Sequence, residues 1–241
     1  MPKGPMITRE ALRTGKIEEL LRETRNGLST MSDTQRAQLV HDTLESLPDN
    51  ASLWVFGYGS LIWNPAIDFD TQRRCRITGF ERKFCFWTTF SRGTQEQPGL
   101  MMGLVEGEQC EGVAFQIHRN KAATELDILF RREMVTYVYI PTWVTAHCVD
   151  TGASFTALTF VVDTRSERYT DKLSQKETIS TLATAAGPLG RNCDYLFDLS
   201  KKLRELEFHD PELEELERQV KRYQARQSYP NGNNLPPVSN C

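Results

Sequence analysis

The sequence predicts an α+β fold in which about six strands form a curled or closed sheet with helices at its periphery. Two observations support this class. β-rich segments begin at residue 53 and precede most of the helical blocks, and no regular strand–helix alternation of the kind that builds a doubly wound sheet is present. The chain has 241 residues, which is long enough to bury a sizeable core.

The first element is a helical region over residues 8–47, which we expect to pack on the outside. Ser32 and Gln35 form a capping box, and Leu39, Val40 and Leu44 follow at helical spacing. The segment Pro48-Asp-Asn50 is predicted to end this helix. We therefore treat residues 1–50 as an N-terminal helical extension.

The next elements are strands, interrupted by one helix. Turn residues separate the segments LWVFGYG, RCRITGFERKFCFW, LMMGLVEG, CEGVAFQIH, TYVYIPTWVTAHC and FTALTFVVD. Before the fifth segment, Asn120 is predicted to cap a helix whose apolar face is supplied by Leu126, Leu129 and Phe130. With the helices that follow, these strands define a single predicted domain over residues 51–226.

The C-terminal elements are helical. Ser174 and Glu177 form a second capping box that opens a helix to Ala186, and the run Gly187-Pro-Leu-Gly190 breaks it. Helices over about 194–207, with Asn192 or Asp194 as the cap, and over 211–226, capped by Asp210, come next. Residues 227–241 are rich in turn residues and predict a flexible tail.

Composition excludes several classes of partner. The net charge is −3, with 29 basic and 32 acidic residues mixed along the chain, which argues against nucleic acid or an anionic membrane as the partner. The sequence lacks an apolar run long enough to span a bilayer and a secretory signal. Six cysteines without framework spacing predict reduced thiols and hence a cytoplasmic protein. The sequence does not indicate the oligomeric state.

Common catalytic motifs fail to match. Counting from Gly57, the third glycine of a dinucleotide-binding motif would fall at Ile62, and the chain has no P-loop. Ser60 lacks the flanking pattern of a hydrolase nucleophile. The four histidines show no zinc-protease spacing, and the adjacent His147 and Cys148 are expected on opposite faces of a strand. These patterns argue against a nucleotide site, a serine hydrolase and a zinc hydrolase.

The stretch VFGYGSLIW, residues 55–63, carries the first functional signal. Gly57 and Gly59 interrupt an otherwise apolar strand, where each glycine costs conformational entropy and packs nothing. Small residues after a strand let several N–H groups converge on a carboxylate or an oxyanion. A tight turn without a ligand is the alternative interpretation, and the pattern by itself leaves both open.

Three side chains elsewhere are candidates for the same site. Glu133 lies where an apolar helix meets a strand, so a partly desolvated carboxylate with acid–base capacity is one interpretation. A surface ion pair with Arg131 or Arg132 is the other. Tyr195 falls in the first turn of a helix, where its hydroxyl reaches either a site or solvent. Arg92, in a polar loop, binds a carboxylate or is simply solvated.

Four motifs in order make the chain similar to the ChaC family of γ-glutamylcyclotransferases. They are FGYGSLIW, SRGTQEQPG, FRREM and AAGPLGRNCDYLF, and the resemblance covers residues 53 to about 206. The segment MVTYVYIPTW after Glu133 is closer to bacterial members than to the short animal ones. The resemblance implies a small mixed β-barrel surrounded by helices. It also implies cleavage of glutathione into 5-oxoproline and cysteinylglycine, with no metal or organic cofactor.

The resemblance also implies roles for residues. Glu133 is the expected catalytic carboxylate, and Arg92 and Tyr195 are expected in the substrate pocket. The expected substrate loop comprises Val55, Phe56, Gly57, Tyr58, Gly59, Ser60 and Leu61, with the glycines needed so that no Cβ blocks the substrate. Two alternatives remain, a cyclotransferase for γ-glutamylamines or other γ-glutamyl peptides and a non-enzymatic binder of such compounds.

Overall fold

The computed structural model describes residues 7–22, 30–47 and 51–228, and its centre is a closed five-stranded barrel. The strand order is β1-β3-β2-β4-β5. The predicted α+β class and the mixed barrel are confirmed, with helices around the sheet. The strands are β1 (Leu53–Gly57), β2 (Thr71–Thr88), β3 (Gly99–Ile117), β4 (Tyr139–Cys148) and β5 (Ser154–Val162).

The barrel closes through β1, which pairs with two strands. Val55 faces Phe115 of β3 in an antiparallel register and Leu158 of β5 in a parallel one. All three residues are at most 1% exposed, so the closure coincides with the centre of the core. Gly57 is the last residue of β1 and the last that pairs with β3, so the glycine-rich stretch begins where this strand leaves the barrel.

The barrel has five strands and not about six because two of the predicted segments form a single strand. LMMGLVEG and CEGVAFQIH both belong to β3, which pairs with β2 along most of its length. The register shifts between the pairs Thr78–Gln109 and Phe80–Glu106, so two residues of β3 stand opposite Gly79 alone. This β-bulge lies where the sequence predicted a turn between the two segments.

The N-terminal helices pack against the helix that follows β3. They are α1 (Arg9–Arg13), α2 (Lys16–Arg22) and α3 (Asp33–Glu45), and their partner is α4 (Ala122–Glu133). The capping box of Ser32 and Gln35 is confirmed, and Arg36 of α3 donates to Asp127 of α4 at 2.8 Å. The expected cap at Asn120 is wrong, since Lys121 occupies the N-cap of α4 and Asn120 lies in a preceding short turn capped by His118.

The C-terminal helices are α5 (Gln175–Thr184), α6 (Asn192–Glu205) and α7 (Pro211–Ser228), with the two-residue strands β6 (Ala186–Gly187) and β7 (Gly190–Arg191) before α6. The capping box of Ser174 and Glu177 and the cap by Asp210 are confirmed. The expected cap of α6 is wrong, because Arg191 occupies the N-cap position and its side chain makes no capping hydrogen bond.

Asn192 serves the barrel instead of capping α6. Its side chain accepts from the Leu100 amide and donates to the Leu100 carbonyl, both at 2.7 Å, and is fully buried. This pair of bonds fastens the start of α6 to β3. The predicted helix end at 48–50 lies outside the described residues, as do residues 229–241 of the predicted tail. The first two residues of that tail, 227 and 228, belong to α7.

Two further expectations concern the whole chain. Among the described residues, no helix combines the length and the apolar character needed to cross a membrane. Cys75, Cys85, Cys110, Cys148 and Cys193 are all buried free thiols. His147 is exposed and bonds Ser154 while Cys148 is buried, which confirms their opposite orientations.

Candidate active site

Two adjoining cavities lie between the end of β1 and the start of α6. The inner chamber, about 110 Å³, is lined by Glu133, Tyr139 and Arg168 among others. The outer cleft, about 560 Å³, is lined by Arg92 and by residues of α6 up to Glu205. Their common wall makes them parts of one site, and it consists of Ile7, Ser60, Ser91, Met101, Arg132, Leu189 and Tyr195.

Glu133 is the last residue of α4 and points into the inner chamber. Its side chain is 14% exposed, and Oε1 makes no aligned hydrogen bond to any described residue. Arg132 Nε lies 3.0 Å from Oε1, a contact of opposite charges rather than a directed bond. Burial raises the pKa of the Glu133 carboxyl, and the Arg132 charge opposes that rise. The carboxylate is therefore suited to taking up and releasing a proton.

Arg132 connects this carboxylate to the glycine-rich stretch. Its Nη2 donates to Ser60 Oγ at 2.8 Å, and its Nη1 donates to the Asn64 carbonyl. The Arg132 side chain is 4% exposed, so the ion pair between Arg132 and Glu133 exists but lies inside the protein and not on its surface. Arg131 instead pairs at 2.8 Å with Asp127, which lies four residues earlier in α4. Glu133 is thus held next to the loop by a residue whose donors are occupied.

Tyr195 lies against the same loop from the first turn of α6. Its hydroxyl oxygen accepts the Ser60 N–H at 3.2 Å, and its ring contacts Trp63 and Phe84 edge to face. The residue is 3% exposed. Burial, with the nearby Glu133 charge, raises the pKa of the Tyr195 hydroxyl to about 12. The hydroxyl is therefore neutral at physiological pH and keeps its own proton for donation.

Gly57 and Gly59 lie where a side chain would collide with neighbouring protein atoms. A Cβ on Gly59 would lie 2.6 Å from the Tyr195 hydroxyl, and one on Gly57 would lie 2.7 Å from Leu61 Cβ. Both glycines are therefore needed for packing, and the expectation that a Cβ would block the substrate stays a prediction. Gly59 lets Tyr195 reach the Ser60 amide, which is how α6 and the loop come together.

The other residues of the expected substrate loop form the support behind Ser60. Val55, Phe56 and Leu61 are buried, and none of them lines either cavity. Tyr58 donates from its hydroxyl to the Phe160 carbonyl at 2.8 Å and lies close enough to Glu133 for that charge to raise its pKa further. Ser60 is the member of the loop that reaches both cavities.

Arg92 lies in the outer cleft and not in the chamber. Its Nη1 donates to the Arg191 carbonyl at 3.1 Å, and within the described residues it forms no ion pair with a carboxylate. Burial lowers the pKa of its guanidinium, with the charges of Asp194 and Asp198 opposing. A partly desolvated cation at this position is suited to binding an anionic group of a ligand.

Sequence reasoning missed residues on the walls of the chamber. Ile7, Leu12 and Ile17 come from the N-terminal helical region, and Tyr139 and Arg168 come from β4 and from the connection after β5. Tyr139 donates to the Met102 carbonyl at 3.0 Å. No motif marks any of them, because their proximity to Glu133 arises only from the closed barrel and its packed helices.

Other carboxylates and possible metal ligands are occupied or lie elsewhere. Glu125 is 2% exposed, pairs with Arg9 and accepts the Asp68 amide at 2.8 Å, and Glu111 pairs with Arg76 at 2.6 Å. In the described part of the chain, the group with metal-ligand proximity is His41, Asp42 and Glu45, which is exposed and lines neither cavity. Glu133 remains the carboxylate that the chamber leaves available.

Comparison with known proteins agrees with this arrangement. A model of the ChaC-like protein family matches residues 53–223. The chain is 37% identical over 234 residues to the glutathione-specific γ-glutamylcyclotransferase of Escherichia coli (strain K12), covering 94% of this chain and 97% of that protein. It is 34% identical over 199 residues to the enzyme of the same name from Schizosaccharomyces pombe, covering 74% and 97%.

A solved structure shares the fold. The crystal structure of a γ-glutamylcyclotransferase specific to glutathione from yeast aligns with a TM-score of 0.67 at 22% identity, covering 73% of this chain and 98% of that one. The family match spans the barrel, Glu133 and Tyr195 alike. The chain therefore belongs to the ChaC-like protein family.

Proposed function

We propose that this protein is a γ-glutamylcyclotransferase that cleaves glutathione into 5-oxoproline and cysteinylglycine. The observation that carries the proposal is the largely buried Glu133 carboxylate, whose Oε1 has no aligned hydrogen bond to any described residue and which faces a small chamber beside Ser60 and Tyr195. The names of the Escherichia coli and Schizosaccharomyces pombe relatives support glutathione as the substrate. The presence of an available carboxylate argues against a binder without activity.

The reaction needs one group that moves a proton. The α-amine of the glutamyl group attacks its own γ-carbonyl carbon, a new C–N bond closes a five-membered ring, and the amide C–N bond to cysteine breaks. Because the nucleophile is tethered to the electrophile, the entropic advantage is built into the substrate. The α-amine has a reference pKa of about 8 and is mostly protonated at neutral pH. Glu133 first removes one proton from the α-ammonium group so that the amine can attack. Ring closure leaves a second excess proton on the same nitrogen, and Glu133 passes the two protons in turn to the departing amide nitrogen, which leaves as the ammonium group of cysteinylglycine.

Among Tyr58, Tyr139 and Tyr195, Tyr195 is best placed to donate a hydrogen bond to the γ-carbonyl oxygen of the substrate. Tyr58 and Tyr139 already donate to backbone carbonyls, at 2.8 and 3.0 Å. Tyr195 accepts from Ser60, so its own proton remains available, and its high pKa keeps that proton in place. We propose that it donates to the γ-carbonyl oxygen as negative charge develops there.

The outer cleft is proposed to hold the cysteinylglycine half. It opens from the chamber through shared wall residues, so a peptide can extend from one into the other. Arg92 is proposed to bind the glycine carboxylate there. Residues 51–226 are proposed as the catalytic domain and residues 1–50 as an extension that completes the chamber wall through Ile7. The buried free thiols are consistent with the cytoplasm as its proposed location.

The test is formation of 5-oxoproline by purified protein. Glutathione, a γ-glutamylamine and α-linked glutamyl-cysteinylglycine are incubated separately, and we expect product from glutathione and none from the α-linked peptide. Glu133→Gln keeps the shape of the side chain but cannot accept a proton, so kcat should fall by about 10²–10⁴. Glu111→Gln is the matched control, because Glu111 pairs with Arg76 outside both cavities.

Two results would contradict the proposal. Turnover of the γ-glutamylamine with none of glutathione would assign the other substrate class. Near wild-type turnover by a folded Glu133→Gln protein would remove Glu133 from the mechanism.

A further inference from the structure

Arg168 is a cation of the inner chamber that has no anionic partner among the described residues. It lies in the connection between β5 and α5 and lines the same chamber as Glu133. Its Nε donates to the Trp87 carbonyl at 2.8 Å, and its Nη1 donates to Thr136 Oγ1. Its guanidinium carbon lies 5.4 Å from the centre of the Phe86 ring and 5.1 Å from that of Phe90.

These contacts fix the orientation of the guanidinium without neutralising its charge. Burial lowers the pKa of Arg168 to about 10. A desolvated cation without a counter-ion lowers the stability of the folded protein. The hydrogen bonds from Arg168 to a carbonyl and to a hydroxyl oxygen satisfy two of its donors but do not balance its charge. Nη2 donates to no described residue, so its N–H groups are left for a ligand. An anion that enters the chamber would meet a preformed donor.

Arg132 does not offer the same opportunity, although it lines the chamber too. Its Nη1 and Nη2 bond Asn64 and Ser60, and its charge is balanced by Glu133. The loop amide of Ser60 is likewise occupied, by the Tyr195 hydroxyl. Arg168 is therefore the chamber residue with both an unbalanced charge and free donors.

We propose that Arg168 binds the α-carboxylate of the γ-glutamyl group and thereby restricts the site to substrates in which that carboxylate is free. The inference rests on the proposed cyclotransferase function. The α-amine and the α-carboxylate are attached to the same carbon atom, so a substrate whose amine reaches Glu133 must place its carboxylate in the same chamber. The opposite charges of Glu133 and Arg168 match the opposite charges of that carbon's two substituents.

The assignment divides the two carboxylates of the tripeptide between two cations. Arg168 in the chamber takes the glutamyl carboxylate, and Arg92 in the outer cleft remains for that of glycine. It also predicts that 5-oxoproline, which retains the carboxylate, binds in the chamber after the reaction. Pyrrolidin-2-one has the same ring without the carboxylate and should bind far more weakly.

The experiment pairs an enzyme change with a substrate change. The substrate analogue is 4-aminobutyryl-cysteinylglycine, which keeps the attacking amine but lacks the carboxylate, and its product is pyrrolidin-2-one. We expect wild-type kcat/KM to be on the order of 10²-fold lower for the analogue, the range for one charge-assisted bond. Arg168→Met should lose a similar factor on glutathione and almost nothing further on the analogue.

The control is Arg165→Met, which removes an arginine from the same connection. Arg165 is 83% exposed and pairs with Asp163 at 2.9 Å, outside the chamber, so both activities should be unchanged. If Arg168→Met lowers kcat/KM by the same factor on glutathione and on the analogue, Arg168 only positions neighbouring elements and the proposal is overturned. The same holds if Arg168→Met leaves turnover of glutathione intact.

Binding measurements separate this proposal from the proposed function. Calorimetry of wild-type protein with 5-oxoproline and with pyrrolidin-2-one needs no turnover and no variant, and equal affinities would overturn the role of Arg168. Arg168→Lys, which keeps the charge, should retain part of the preference and covers a failure of Arg168→Met to fold. If wild-type protein forms no 5-oxoproline from glutathione, the proposed function is wrong, and the binding preference still decides the role of Arg168.

Discussion

Replacing Gly59 by alanine tests how the loop and α6 are joined. The new Cβ would lie 2.6 Å from the Tyr195 hydroxyl, whereas ordinary van der Waals contact begins at 3.4 Å. The hydroxyl therefore has to retreat by about 0.8 Å. Contacts of its ring with Trp63 and Phe84 resist that movement, because the side chain is only 3% exposed. The Ser60 N–H would lose its acceptor as the hydroxyl withdraws.

The magnitude follows from two contributions. Forcing an extra methyl group into a packed site costs about 1–3 kcal/mol. Loss of a partly buried hydrogen bond adds about 1 kcal/mol. We therefore expect Gly59→Ala to lower the free energy of unfolding by about 3 kcal/mol and to lower kcat/KM, since both Ser60 and Tyr195 border the chamber.

A second substitution identifies the cause. Tyr195→Phe removes the hydroxyl, and the nearest remaining ring atom, Cζ, would lie 3.9 Å from the new Cβ. In that background Gly59→Ala should cost less than about 1 kcal/mol, so the double-mutant cycle should show about 2 kcal/mol of coupling. Urea unfolding of the four proteins measures it. A cost of Gly59→Ala that is the same with and without the hydroxyl would refute the proposed contact.

Three further predictions concern protonation and packing. Because burial raises the pKa of Glu133, kcat/KM should decline as the pH falls through a value above the ordinary glutamate pKa of about 4.3, since the protonated carboxyl cannot accept a proton; a pH–rate profile measures this. Glu125→Gln should weaken the bonds to Arg9 and lower stability by about 1–3 kcal/mol while kcat is kept, as measured by unfolding and turnover of one preparation. Asn192→Ala should leave both polar groups of the buried Leu100 backbone without partners and cost about 3 kcal/mol in urea unfolding.

Local patterns predicted the helices well and their caps only in part. The capping boxes at Ser32 and Ser174 need only residues three positions apart, so the sequence contains the whole interaction. Asn192 was a plausible cap by the same local rule, but the Leu100 backbone of a distant strand offered it two bonds. The competing partner lies 92 residues away, beyond the range of any local pattern.

The strands show the same division. Period and composition located the β-rich segments, yet a turn was expected between LMMGLVEG and CEGVAFQIH, where β3 continues through a bulge. Whether such residues turn or bulge depends on the paired strand, here the stretch around Gly79 in β2. The number of strands therefore followed from pairing and not from the segment itself.

The candidate site was predicted unevenly. Glu133 was singled out by its position at a helix end and assigned a role by resemblance to the ChaC family, while its position alone left a surface ion pair open. The structure places it beside Arg132 in a chamber, because α4 packs its apolar face onto the barrel and carries its last residue inward. The glycines were recognised as unusual, but the approach of the Tyr195 hydroxyl to Gly59 and Ser60 depends on a helix residue that lies 135 positions from Ser60.

The sequence by itself determined the fold class, the two capping boxes, the position of the glycine-rich loop and the identity of the acid–base candidate. These depend on spacing within one segment, or on motifs whose order survives in the linear chain. Only the tertiary structure decided that Ile7 and Arg168 share the chamber with Glu133, that Arg92 lies outside it, and which donors remain free. Burial, charge balance and hydrogen-bond partners are properties of atoms brought together by barrel closure, and no single segment contains them.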